Sequence, residues 1–343
     1  MTAVSYIPPP RRASSQEWSD RVNPRIQRQR HDSPDAVTGK RLTAHLPVHQ
    51  DLAATLERVR RDTDLVARRE RDPVRFVHAF QAPLDRELVG LSAACLAFGN
   101  VTTILRKQQE LLDRLHGDPS AFARRPAALR RALSGFVHRV YRGEDLAGLL
   151  LGAATLQDRH GSMGAAFGTH FQTWGMLRPA LSGFVRELRS GAPRRGQTEL
   201  SLGARHLLPD PEANSACKRL ALYLRWMVRP ADGIDTGLWS AHLPSSALVV
   251  PLDTHIHRVS RNLGLTRRAD ASWTTAEEIT RALARYCPED PVRYDFALCH
   301  LGMSLQCPSK RDVGLCRGCG VRPVCRHWAA GAPGEAEESL RRP

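Results

Sequence analysis

Four cysteines fall within nineteen positions near the end of the chain, in the spacing Cys307-x8-Cys316-x2-Cys319-x5-Cys325. A tight Cys-x2-Cys core with two more thiols nearby is a donor set for a soft metal, either tetrahedral zinc or an iron–sulfur cluster. One compact loop can present all four sulfurs, so the C-terminal part is expected to fold around such a site. Arg317, Arg322 and Arg326 would offset the negative charge of the thiolates. Scattered cysteines such as Cys95, in the apolar run from Leu91 to Phe98, read as small core residues. In a reducing cytosol none of the cysteines is expected to form a structural disulfide.

Ahead of this loop, apolar residues recur at helical spacing almost everywhere. Leu52, Leu56 and Val59, continued by Leu65 and Val66, predict a first amphipathic helix. Residues 85–112 predict a longer segment, divided into two helices near Gly99-Asn100, and residues 146–167, 174–188 and 216–228 continue the pattern. The one strand-like run, residues 247–252, is interrupted by Pro251. The expected fold class is therefore all-α. Residues 191–208, rich in Gly, Pro and Arg, read as a loop in which Arg194-Arg195 is exposed charge or touches phosphate. Residues 1–48 read as a disordered basic tail and residues 331–343 as a loose C-terminus.

No stretch approaches the roughly 20 apolar residues needed to span a bilayer, and the N-terminus lacks an apolar leader. A cytoplasmic protein without a membrane partner is expected. The formal charge of +15 favours polyanions such as DNA, RNA or an acidic membrane surface. Of the 50 basic residues only Lys40, Lys107, Lys218 and Lys310 are lysines. Arginine holds a fixed charge against phosphate but supplies no neutral amine nucleophile, so each retained lysine is of interest.

The segment Val250-Pro251-Leu252-Asp253-Thr254-His255-Ile256-His257-Arg258-Val259 opens a helix: Asp253 has the chemistry of an N-cap, and Gly264 is placed to end the helix. Ile256, Val259 and Leu263 would line its buried face. On this pattern alone, Asp253 is a helix cap.

An Asp-Thr-His-x-x-Arg-Val segment followed some fifty residues later by a four-cysteine loop resembles endonuclease III and its relatives, the helix-hairpin-helix DNA glycosylases. His300-Leu301-Gly302, ahead of Cys307, resembles the lead-in to the first cysteine there. The match covers residues 215–328, and the whole chain also resembles a bacterial family of similar length to which no activity is carried over. The resemblance implies two helical lobes, a middle one of about residues 80–200 and a second of about 49–79 plus 205–330, with an active cleft between them. It implies Asp253 as the essential carboxylate, Cys307, Cys316, Cys319 and Cys325 as ligands of a [4Fe–4S] cluster, and DNA with a damaged or modified base as the partner of a monomeric, nucleoid-associated enzyme. The first cysteine gap is eight residues where endonuclease III has six, which keeps zinc open.

The Leu-Pro-Gly-x-Gly hairpin of that superfamily, and its lysine, are absent; Gly233-Ile234-Asp235-Thr236-Gly237-Leu238-Trp239 and His242-Leu243-Pro244 stand in its place. Lys218, 35 residues before Asp253, offers an alternative nucleophile, in an arrangement similar to that of archaeal 8-oxoguanine glycosylases. At helical spacing Lys218, Leu222 and Arg225 share a face, with Trp226 beside them. Arg225 and partial burial are expected to lower the lysine pKa. Trp226, Trp239 and Phe296 are candidates for stacking on an extruded base, each with a core role as the plainer alternative, and His255 and Arg225 for touching it. The expected activity is a DNA N-glycosylase, bifunctional with AP-lyase activity if Lys218 attacks and monofunctional if water does. A non-catalytic DNA- or RNA-binding protein of the same fold, and a zinc-stabilised regulatory module, are the alternatives.

Overall fold

The computed structural model describes residues 50–190 and 200–328, all within one contact unit. The expected basic tail, the Arg194-Arg195 pair and the expected loose C-terminus lie outside the described residues.

Helix α1 (Gln50–Arg61) buries Leu52, Leu56 and Val59 on one face, as the periodicity demands. It stops earlier than the apolar pattern does. Asp64 accepts a hydrogen bond from Ala67 N and starts a separate helix α2 (Leu65–Arg69), leaving Val66 exposed. After the short α3 (Arg75–His78), helix α4 (Pro83–Leu96) begins on a proline and is buried from Glu87 to Leu96. Gly99, at φ +117°, turns the chain, and Asn100 caps α5 (Val101–Arg114) by accepting from Thr102 N and Thr103 N. The break near Gly99-Asn100 is therefore where the residues place it.

Helices α6 (Pro119–Ala123) and α7 (Pro126–Ala132) lead into a two-stranded hairpin, β1 (Val137–His138) against β2 (Tyr141–Arg142), which the hydrophobic pattern did not announce. Three packed helices follow: α8 (Gly143–His160), α9 (Met163–Trp174) and α10 (Leu177–Ser190). The pattern over 146–167 predicts one segment, but Gly161 ends α8 and Ser162 caps α9. A Cβ at Gly152 would stand 2.1 Å from Leu188 O, so α8 and α10 meet only because that position is glycine. The stretch read as a loop contains a further helix, α11 (Leu202–Leu207), capped by Ser201.

Helix α12 (Lys218–Val228) packs on α4, where Tyr223 Oη donates to Glu87 O at 3.0 Å. Residues 229–253 then cross to α13 (Thr254–Asn262), so these helices are not joined by a short glycine hairpin. Arg225 and Arg229 converge on Asp235 in that crossing, and Asp295 and Asp290 complete the buried network. The run 247–252 forms no strand: Ala247 ends a one-turn 3₁₀ helix (Ser245–Ala247), and Val250 N donates to Thr280 Oγ1. Helices α14 (Trp273–Leu283) and α15 (Asp295–Ser304) follow, with α15 against α13 and α1. The described residues are mostly helical, as an all-α chain requires, and none of their helices is long and apolar enough to cross a membrane.

Candidate functional site

Lys218 and Asp253 face each other across a cleft of about 1030 Å³, with Lys218 Nζ 3.4 Å from Asp253 Oδ2. Each is positioned by the end of a helix. Asp253 caps α13 with Oδ1, accepting from His255 N at 2.9 Å and Ile256 N at 2.8 Å, and this leaves Oδ2 for the lysine. The helix-cap reading and the ion-pair geometry thus describe two oxygens of one carboxylate. Lys218 is the first residue of α12, preceded by two non-glycine residues in the left-handed region, Asn214 at φ 57° and Cys217 at φ 46°. Such backbone costs of order 1–3 kcal/mol per residue and persists only where the surroundings enforce it. Here a bridge between Ser215 and Ser272 and the bond from Trp273 N to Asn214 O pin the turn.

The lysine is not the low-pKa amine that its neighbours in sequence suggested. Burial acts to lower its pKa, but the Asp253 carboxylate outweighs burial and holds the amine above the usual lysine range. Arg225 does not help, because its own charge is neutralised: Nε donates to Asp235 Oδ1 and Nη1 to Asp295 Oδ2. The resting pair is an ammonium beside a carboxylate.

Helix α15 supplies groups that sequence reasoning missed. Cys299 donates its thiol to Asp253 Oδ2 at 3.6 Å and is held far above the usual thiol range, first by burial. Burial pushes Asp295 up to about 6 against the pull of Arg225, and one of its oxygens, Oδ1, has no partner. His300 is pushed down to about 4 by burial, so it is neutral near pH 7; it packs on Phe296 at 4.3 Å and reaches Asp72 at 3.9 Å. The usable signal was spacing. Asp295 and Cys299 stand four apart, as do Phe296 and His300, so one helical face carries both pairs.

The other expected site residues divide. Leu222, Arg225, His255 and Phe296 line the cleft, as the shared face of Lys218, Leu222 and Arg225 required, although Arg225 is buried and committed to its aspartates. Trp226 and Trp239 do not line it. Trp226 is fully buried, and Trp239 packs among Phe167, Phe184 and Tyr223 with its indole N–H donating to Glu87. Glu87 also accepts from Met163 N and Gly164 N at the start of α9, so this tryptophan completes a buried polar network. Both tryptophans are core residues.

Cys307, Cys316, Cys319 and Cys325 all line one small cavity behind α13. Among the described residues no His, Cys, Asp or Glu side chains stand in a ready metal-binding group, yet four thiols around one cavity suit a thiolate-bound metal. Asn262, in the last turn of α13, donates to Cys307 Sγ at 3.4 Å and to Pro308 O at 3.0 Å. Arg58 of α1 donates to Gly320 O at 2.8 Å from the other side.

The cleft therefore offers an amine, a carboxylate positioned to stabilise positive charge, a neutral imidazole and an aromatic face. Comparison with curated proteins and with solved structures returns no match. The model of one family, described as protein of unknown function (DUF2400), matches residues 72–304. That span contains Lys218, Asp253 and the α15 groups and ends before Cys307. The chain belongs to the DUF2400 family.

Proposed function

We propose that this protein is a DNA base-excision glycosylase with AP-lyase activity. The observation that carries the reading is the 3.4 Å approach of Lys218 Nζ to Asp253 Oδ2 in a cleft of about 1030 Å³. The reading supposes two helical lobes, a middle one of about residues 80–200 and a second of about 49–79 plus 205–330, with the cleft between them. A nucleobase swung out of the stack enters the cleft. The bond from C1′ to the base nitrogen breaks, and the Asp253 carboxylate stabilises the positive charge that develops on the sugar. As the sugar comes between them, Lys218 is separated from Asp253 and passes a proton to the departing base nitrogen. The lysine nitrogen then bonds to C1′, the C1′–O4′ bond opens as a second amine proton passes to O4′, and the resulting Schiff base permits loss of a C2′ proton to water with β-elimination of the 3′ phosphate. The charge of +15 suits a phosphate-tracking protein.

Cys307, Cys316, Cys319 and Cys325 would hold a [4Fe–4S] cluster or a zinc ion. Either group would supply a structural cross-link outside the base-removal step.

Borohydride trapping against oligonucleotides carrying different lesions tests the reading. A covalent complex is expected with at least one lesion, lost in Lys218→Arg while DNA binding persists, because arginine keeps the charge without a free amine. A Lys218→Arg protein that still traps refutes the assignment. The charged resting state of Lys218 favours a second reading, a nucleic-acid-binding protein without catalysis. DNA binding with neither trapping nor released base on any lesion selects it.

A further inference from the structure

Three buried arginines lie along α12 and its end, and the fold treats them differently. Arg225 meets Asp235 and Asp295; Arg229 meets Asp232, Asp235 and Asp290. Arg219 is 9% exposed and meets no carboxylate among the described residues. Its Nη1 donates to Tyr141 Oη and His206 Nδ1, and its Nη2 to His206 O, all neutral groups. The nearby Cys95 thiol is pushed up to about 12 by burial and carries no charge either. A guanidinium taken out of water without a counter-ion is costly, and folds ordinarily supply one. Here the same helix does so twice and omits it once.

The exception lines the cleft, one residue after Lys218. Exposed Arg205 and His206 stand beside it on the same wall. Because the Arg219 guanidinium can only donate, His206 Nδ1 accepts, and the ring's proton sits on Nε2 as a further donor. The Phe98 ring closes this wall, 5.1 Å from His206, with the Arg139 guanidinium 4.6 Å from its centre. The cleft is thus divided in character: carboxylates gather around Lys218, and uncompensated positive charge gathers around Arg219.

We propose that Arg219, with Arg205 and His206, forms a phosphate subsite that seats the phosphate flanking the nucleotide presented to Lys218. The nucleotide's identity rests on the glycosylase reading; the anion chemistry does not. The phosphate is either an internal diester or a terminal monoester, and both present oxygens that a guanidinium binds through charge-assisted hydrogen bonds.

Two measurements test the proposal. Inorganic phosphate, compared with chloride at equal ionic strength, raises the melting temperature of the wild type, and Arg219→Met removes that response. Arg205→Ala, at an exposed position tolerant of substitution, weakens it. An unchanged response in folded Arg219→Met overturns the subsite, and so does an unchanged response in Arg205→Ala should Arg219→Met fail to fold. In the second measurement, duplexes carrying a tetrahydrofuran abasic analogue have one flanking phosphate replaced by methylphosphonate. One neutral linkage is expected to weaken wild-type binding by about tenfold or more, the scale of a hydrogen bond to a charged group. The same linkage has no effect in Arg219→Met, and equal sensitivity in both proteins overturns the proposal. Tighter binding to a nicked duplex ending in phosphate than to the intact one assigns the site to a monoester; the reverse order assigns it to a diester. Failure of Lys218 trapping with both phosphate effects intact overturns the glycosylase reading alone.

Discussion

Replacing Asp253 by Asn isolates the charge that governs Lys218. Asparagine caps a helix about as well as aspartate, so α13 keeps its first turn. At the observed 3.4 Å, a unit charge pair is worth about 1 kcal/mol in water and about 5 kcal/mol at an effective dielectric constant of 20. The Lys218 side chain is 34% exposed, so solvent screens the pair and about 1.5–3 kcal/mol is the reasonable range. That corresponds to about one to two pKa units. In Asp253→Asn burial acts with less opposition, and the lysine pKa should fall by that amount. With four lysines in the chain, reductive ¹³C-methylation gives few enough signals for NMR titration, and Lys218→Arg assigns the one of interest. The wild-type Lys218 midpoint should lie above the ordinary lysine value and move down by about one to two units in Asp253→Asn. An unmoved midpoint refutes the ion pair as the cause. The stability that the pair contributes is fully present below the ordinary lysine pKa and is lost only as pH rises through the raised one.

Three further outcomes are expected. Anaerobically purified protein should carry about four irons per chain, or zinc in their place, and Cys319→Ser should lose the metal and lower the melting temperature; metal-free wild-type protein refutes the ligand assignment. Neutral, half-buried His300 contributes stability that is complete above pH 6.5 and is lost as pH falls toward about 4, amounting to about 3 kcal/mol; in His300→Phe the acid limb of a stability–pH curve should flatten, and an identical limb counts against the assignment. Affinity for undamaged duplex should fall by more than about tenfold between roughly 50 and 200 mM salt, and a flat profile would be inconsistent with phosphate tracking.

Local chemistry made part of this legible in advance. The Gly99-Asn100 break and the Asp253 cap depend on groups a few positions apart, so their partners are visible in a short window. The face shared by Lys218 and Leu222 follows from helical spacing alone. What depended on distant partners was not legible. Arg225 read as a cation beside Lys218, but Asp295, seventy positions away, cancels it. Trp239 read as a base-stacking candidate, but Glu87 draws its indole into the core. Arg219 stood out in no motif because its distinction is the lack of a carboxylate, which only the packed fold reveals. The split between α1 and α2 was available in principle, since Asp64 is an ordinary cap, but continuing apolar spacing masked it.

Helix α13 is a ruler between the Lys218 cleft and the cysteine loop. One end bears Asp253 and the other bears Asn262, whose amide grips Cys307 Sγ and Pro308 O and whose backbone oxygen receives Arg326 N. Nine helical residues span about 13 Å and do not stretch, so a displacement of the cysteine loop along this axis arrives at the carboxylate nearly undiminished. An oxidised or emptied loop would then first be felt as a wrong distance between Asp253 and Lys218, before any loss of the fold.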